Sequence, residues 1–179
     1  MRHELRHLQG PTDGQQVLER WLREAATILQ GIRYYAEEYR PFDEMETASV
    51  SLLLGAAASA GYYPVAEYRT TKLSDKTKQK SRISRGDLWF VAGSESYAFE
   101  FKRAWDVSTT EKLKICLEAA VGDINRMIDD EADHYYAVVA APFMKGCDRR
   151  TYDNFADADW IGTIGAEKPE AYFYFKKVT

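Results

Sequence analysis

The sequence predicts an α/β chain, a mixed sheet carrying helices, and three observations predict it. Apolar residues recur at three- and four-residue steps through residues 18–39. From Tyr62 to Ala104 they follow strand patterns around turn signals. A further helical stripe then precedes the largely apolar run Tyr135–Ala141, which suits an interior strand covered on both faces. The order is helix, helix, three strands, helix, strand, with more strand beyond. The 179 residues suit one domain with a sizeable core.

Residues 13–40 read as one long helix, with Leu18, Trp21, Leu22, Ala25, Ile28, Leu29, Ile32, Tyr35 and Tyr39 forming its stripe. Thr12 and Gln15 suit a capping box and Pro41 ends the run. A second helix is expected over residues 44–60, capped by Asp43 with Glu46 three residues on and closed by Gly61. Its run of three alanines, Ala56–Ala58, calls for something packed closely against it. Tyr63–Thr70 reads as a strand. A hairpin follows, Asp87–Ala92 and Tyr97–Lys102 about Gly93-Ser94. Residues 108–129 form a helix opened by Ser108 and Glu111, and Trp160–Ile164 and Ala171–Phe175 are further strand. These divide one domain into an N-terminal helix (13–40), a core (43–141) and a C-terminal strand region (150–179).

Net charge is −4, which argues against a general basic coat for nucleic acid. The charge is uneven, however. Between residues 72 and 85 stand Lys72, Lys76, Lys78, Lys80, Arg82 and Arg85 against Asp75 alone. Such a run is either a solvated loop or a patch that meets phosphates. Two cysteines make no disulfide framework and fit free thiols in a reducing compartment. No apolar run reaches the ~18 residues of a membrane span. A cytoplasmic protein without a membrane partner is expected. His3, His7 and His134 form no zinc pattern, since the first two lie near the terminus and the third precedes a strand.

Alternation along Tyr97–Lys102 puts Tyr97, Phe99 and Phe101 on one face and Ala98, Glu100 and Lys102 on the other. With a two-residue turn at Gly93-Ser94, Ala92 faces Glu95, and counting back brings Asp87 opposite Glu100. Two facing carboxylates repel, and a divalent cation removes the conflict. Mg²⁺ takes oxygen ligands, here Asp87, Glu100 and the backbone carbonyl of Phe101. Lys102 beside them orients or deprotonates a water, or offsets charge in a transition state. Arg103 is expected to snorkel at the strand end, and Trp105 to join the core.

Gly86-Asp87 followed by Glu100-Phe101-Lys102 resembles the D…E-x-K signature of the PD-(D/E)XK nucleases, with glycine where that signature carries proline. The element order over residues 43–141 is similar to that superfamily's core. The resemblance implies a restriction-endonuclease-like αβββαβ core with the long first helix added. It implies phosphodiester hydrolysis, chiefly as a DNA endonuclease, with Mg²⁺ or Mn²⁺. It nominates Asp87, Glu100 and Lys102 as catalytic, and a glutamate on the first core helix, Glu46 ahead of Glu44. Cutting both strands suits a homodimer, through the N-terminal helix or a sheet edge.

Each residue also has a plainer reading. Glu100 and Lys102 can be a surface ion pair, Asp87 turn chemistry, and Glu46 the capping partner of Asp43. The plainer function is a nuclease-like subunit without catalysis, acting through protein or DNA contacts. An RNA-directed nuclease ranks below DNA, since no RNA-recognition motif is present.

Overall fold

The apolar runs assemble into one seven-stranded mixed sheet with helices on both faces. The computed structural model describes residues 1–73, 81–105, 107, 109–127, 131–144, 148–166 and 168–179, with Ser81 and Arg82 by backbone alone. The elements are β1 (Arg2–His7), α1 (Gln15–Tyr35), α2 (Glu46–Ser59), β2 (Tyr63–Leu73), β3 (Ser81–Ala92), β4 (Glu95–Arg103), α3 (Thr110–Ile124), β5 (His134–Pro142), α4 (Arg149–Asp153), β6 (Trp160–Gly165) and β7 (Pro169–Val178). The sheet runs β1-β6-β7-β5-β4-β3-β2. β4 and β5 pair in parallel with α3 as the connection between them, and the other neighbours are antiparallel.

The alternation in β4 splits the core in two. Phe99 and Phe101 face α1 and α2, where Trp21 sits fully buried against Phe90, Phe99, Phe101 and Phe175. The Trp21 indole N–H donates to the Leu53 carbonyl at 2.8 Å, tying α1 to α2. The alanine run serves as expected: Ala56 and Ala57 are buried in this cluster, and Ile28 of α1 lies against Gly55. On the other face, Leu113, Leu117, Ala120 and Ile124 of α3 pack on Val139, Tyr172 and Tyr174. Burial of an aromatic or aliphatic side chain of this kind contributes about 1.5–3 kcal/mol.

Several boundaries differ from expectation. The N-terminal residues form a strand, β1, paired with β6 and set under α1, with His3 Nε2 and Glu19 Oε1 at 2.9 Å. A six-residue polar alternation gives weak periodicity, and only the partner strand makes it visible. Helix α1 stops at Tyr35, before Tyr39 and Pro41. There the stripe has run past the sheet, and Tyr35 is 88% exposed. The expected caps are replaced: Gly14 opens α1 at φ 82°, and Met45 opens α2 in place of Asp43. Helix α3 begins after Thr109, while Ser108 lies outside the described residues. The basic stretch is partly strand, because Lys72 pairs with Arg82 and Leu73 with Ser81 in the β2–β3 ladder. Lys76, Lys78 and Lys80 lie outside the described residues.

Candidate active site

The turn behaves as the sequence requires. Gly93 takes φ 67°, Ala92 faces Glu95, and the pairs run back to Leu88 opposite Phe99. The next pair by count is Asp87 with Glu100. There the β3–β4 ladder ends, and Asp87 Oδ2 accepts the Phe101 backbone N–H at 2.7 Å. A carboxylate takes the place of a strand carbonyl. On the other side of β3, Glu67 lies between the pairs Ala66–Leu88 and Tyr68–Gly86, directly across from Asp87. It holds φ 50°, a left-handed conformation that costs a non-glycine residue about 1–2 kcal/mol. Backbone irregularity on both flanks of one carboxylate marks this position as specialised.

Glu100 is 2% exposed, on a strand covered from both sides. A buried carboxylate needs a partner. Its partner is Lys72, itself buried, with Nζ 2.6 Å from Oε1. Lys72 reaches inward because the end of β2 is fastened to the chain after α3. The Leu73 N–H donates to the Arg126 carbonyl at 2.7 Å, and Lys72 bridges to Met127. Lys102 pairs with Asp123 of α3, Nζ to Oδ2 at 2.6 Å, and Asp123 also holds Arg126. Glu46, in the first turn of α2, lies near the Arg103 backbone and in the fields of Asp87 and Lys102.

Four carboxylates (Glu46, Asp87, Glu100 and Asp123) thus share the neighbourhood of two ammoniums, Lys72 and Lys102, and two guanidiniums, Arg103 and Arg126. Burial first, then the charge of Asp87, push Glu100 up to about 7 against the pull of Lys72. Burial likewise raises Asp87, opposed by the Phe101 N–H and by Lys102 and Lys72. Burial and Asp87 raise Glu46. Burial works against the Lys102 charge, but the hydrogen bond and charge of Asp123, with Asp87 and Glu100, outweigh it and hold the ammonium above its usual range. The cluster therefore presents carboxylates that gain from an added cation, beside a lysine held charged.

Tyr68 covers the cluster. Its ring lies over Gly86, where an added Cβ would stand 2.3 Å from the ring carbons. This accounts for glycine beside Asp87: no side chain, proline included, fits under that ring. Burial and the charges of Glu100 and Glu131 raise the Tyr68 hydroxyl.

Of the nominated residues, Asp87, Glu100, Lys102 and Glu46 come together. The Asp43–Glu46 capping box does not form, so the plainer reading of Glu46 falls. Glu100 and Lys102 are not a surface ion pair, because each is held by a different partner. Phe101 is buried and pairs with Val138 of β5. Lys72 is withdrawn from the phosphate-contact set, since its ammonium is spent on Glu100. Arg85 is exposed and pairs with Glu67 at 2.7 Å. The side chain of Arg82 lies outside the described residues. Trp105 is not core: it is 58% exposed, with the Arg103 guanidinium over its ring. Asp123 and Tyr68 were missed. Asp123 flanks the buried stripe of α3, and that placement was the available signal.

The chain matches no family model, no curated protein and no solved structure. Among the described residues, no three His, Cys, Asp or Glu side chains are grouped so as to hold a metal ion. A cation here would rest on Asp87 and Glu100, with Glu46 nearby. That pair fits a hard cation in kind: its donors are oxygens, and burial first, with the repulsion of Asp87 on Glu100, disfavours their charged forms without a cation. No helix of the described residues is long and apolar enough to cross a membrane.

Proposed function

We propose that the chain is a Mg²⁺-dependent nuclease of the PD-(D/E)XK type, hydrolysing phosphodiester bonds in DNA, with Mn²⁺ able to substitute. The observation that carries this reading is the meeting of Asp87 and Glu100 beside charged Lys102, where the β3–β4 ladder breaks. Asp87 and Glu100 would hold the cation, with the Phe101 carbonyl as a further oxygen. When bound, the cation supplies charge neutralisation and lowers the pKa of a bound water. Lys102 stays an ammonium because Asp123 holds it charged. Its role is therefore to offset developing negative charge rather than to take a proton. Glu46 sits near the Arg103 backbone, beside the end of β4 that carries Lys102. Lys72 pairs with Glu100 Oε1, and a cation would compete with it for that carboxylate.

The Lys72–Glu100 pair also favours a second reading, a self-satisfied charge network in a fold that binds without cutting. Cleavage of supercoiled and linear DNA in Mg²⁺ or Mn²⁺ separates the two, run on wild type, Glu100→Gln and Lys102→Ala. Glutamine is chosen because alanine would leave Lys72 buried without a hydrogen-bond partner. Lys102→Ala leaves Asp123 with Arg126, so the fold survives. The nuclease reading expects wild type to cut and each variant to lose at least about 10²-fold, as removal of a transition-state charge partner does. Equal behaviour of all three, with no Mg²⁺ uptake by calorimetry, leaves the binding reading.

A further inference from the structure

The proposed chemistry leaves Arg103 and Trp105 unused. Trp21 and Trp160 are fully buried, whereas Trp105 is 58% exposed at the end of β4. Its ring is not loose. The Arg103 guanidinium carbon lies 3.3 Å from the ring centroid and covers one face. Arg103 is itself anchored. The strand pairs it with Ala140, and the Ala104 N–H donates to the Ala140 carbonyl at 3.0 Å.

Arg103 does little for the protein's own hydrogen bonding. It is 8% exposed, yet its Nε and Nη1 have no partner among the described residues. Arginine carries five N–H donors, and buried ones are ordinarily satisfied. Burial lowers its pKa, opposed by the charges of Asp43, Glu44 and Glu46. A guanidinium held under an exposed indole with two of its nitrogens unpartnered among the described residues is a poor packing element and a good support for a flat surface.

We propose that Trp105, backed by Arg103, is a stacking platform for one unpaired base of a single-stranded nucleic acid entering the carboxylate site. This rests on the nuclease reading above and assigns that site a substrate class. Every base has a π-face, so one aromatic platform binds single strands with little sequence preference. In a duplex the bases are already stacked on each other, and the platform gains a base only where the strand is open. Arg103 fixes the ring in advance, which cuts the ordering cost of stacking. The three lysines 76, 78 and 80 are not needed for this step.

The test measures affinity for a labelled oligothymidylate and for a blunt duplex of equal length. Ca²⁺ is the metal throughout, so that binding is read apart from cleavage. Wild type, Trp105→Ala and Trp105→Phe are compared, and the exposed ring lets all three fold. Single-strand binding is expected to weaken about tenfold or more in Trp105→Ala, the loss of one stacked base, and to recover in Trp105→Phe. Duplex binding should move less than about twofold, well under one stacked base. Quenching of the indole fluorescence by the single strand should disappear with Trp105. The platform is overturned if Trp105→Ala binds the single strand as wild type does, if both ligands weaken equally, or if neither ligand binds wild type. Cleavage that depends on Glu100 with an unmoved Trp105→Ala affinity would sink the platform and keep the nuclease. Loss of single-strand affinity in a protein that never cuts would do the reverse.

Discussion

At the scale of single residues, the decisive arrangement is one buried carboxylate shared between a lysine and a neighbouring acid. Glu100 titrates near 7 because burial and Asp87 outweigh Lys72. Its folded pKa lies above the ordinary carboxylate value, so the fold favours its neutral form. That contribution is complete below the unfolded value of about 4.3 and is lost as pH rises through about 7. Chemical-denaturation stability should therefore fall from pH 5 to pH 8 in the absence of divalent cation, and Glu100→Gln should flatten that fall. Lys72→Met leaves Glu100 buried without a cation. It should cost about 3–5 kcal/mol at pH 8, and much less at pH 5, where the carboxyl is neutral. Urea unfolding at the two pH values measures both, and an equal cost at each would show that Lys72 matters for packing rather than charge. Of these neighbours Asp87 was legible in the sequence and the lysine was not. Lys72 lies twenty-eight positions away in a run of basic residues that reads as solvated.

At the scale of elements, the β3–β4 hairpin and its neighbour β2 make the site. The turn chemistry of Gly93-Ser94 was sufficient to place Asp87 and Glu100 on one face, because strand alternation has period two and the register follows from loop length. The sequence could not show that the ladder would stop there. That depends on Glu67 turning left-handed on one side and on the Asp87 side chain taking the Phe101 N–H on the other. Gly86 belongs to the same device, since Tyr68 lies where its side chain would be. Gly86→Ala should therefore destabilise by about 1–3 kcal/mol, the cost of overpacking. Gly86→Ala combined with Tyr68→Ala should recover part of this, and a double-mutant cycle in urea shows whether it does. Helix ends were the least legible features. Neither Thr12 nor Asp43 caps the helix it precedes, because the packing of α1 and α2 on the sheet sets where each begins.

At the scale of the whole molecule, the seven-stranded sheet brings residues from β2, β3, β4, α2 and α3 to one end of the parallel pair β4–β5. A cation bound only by the folded state stabilises it by mass action, about 2.7 kcal/mol at a hundred times its Kd. Mg²⁺ should thus raise the melting temperature at pH 8 and do so less at pH 6, where protons compete for Glu100. Differential scanning calorimetry with and without Mg²⁺ tests this, and a shift that survives in Glu100→Gln would place the ion elsewhere. The sequence by itself determined the types of α1 to α3 and of β2 to β7, the two-residue turn, the aromatic and charged faces of β4 and the candidate trio Asp87, Glu100 and Lys102. These follow from periodicity and local turn chemistry, which need no partner. Only the tertiary structure decided that Lys72 serves Glu100, that Asp123 serves Lys102, that β1 is a strand and that Trp105 stays outside the core. Each of these depends on a contact between segments far apart in the chain, and local pattern carries no record of which distant group will fill a buried charge's shell.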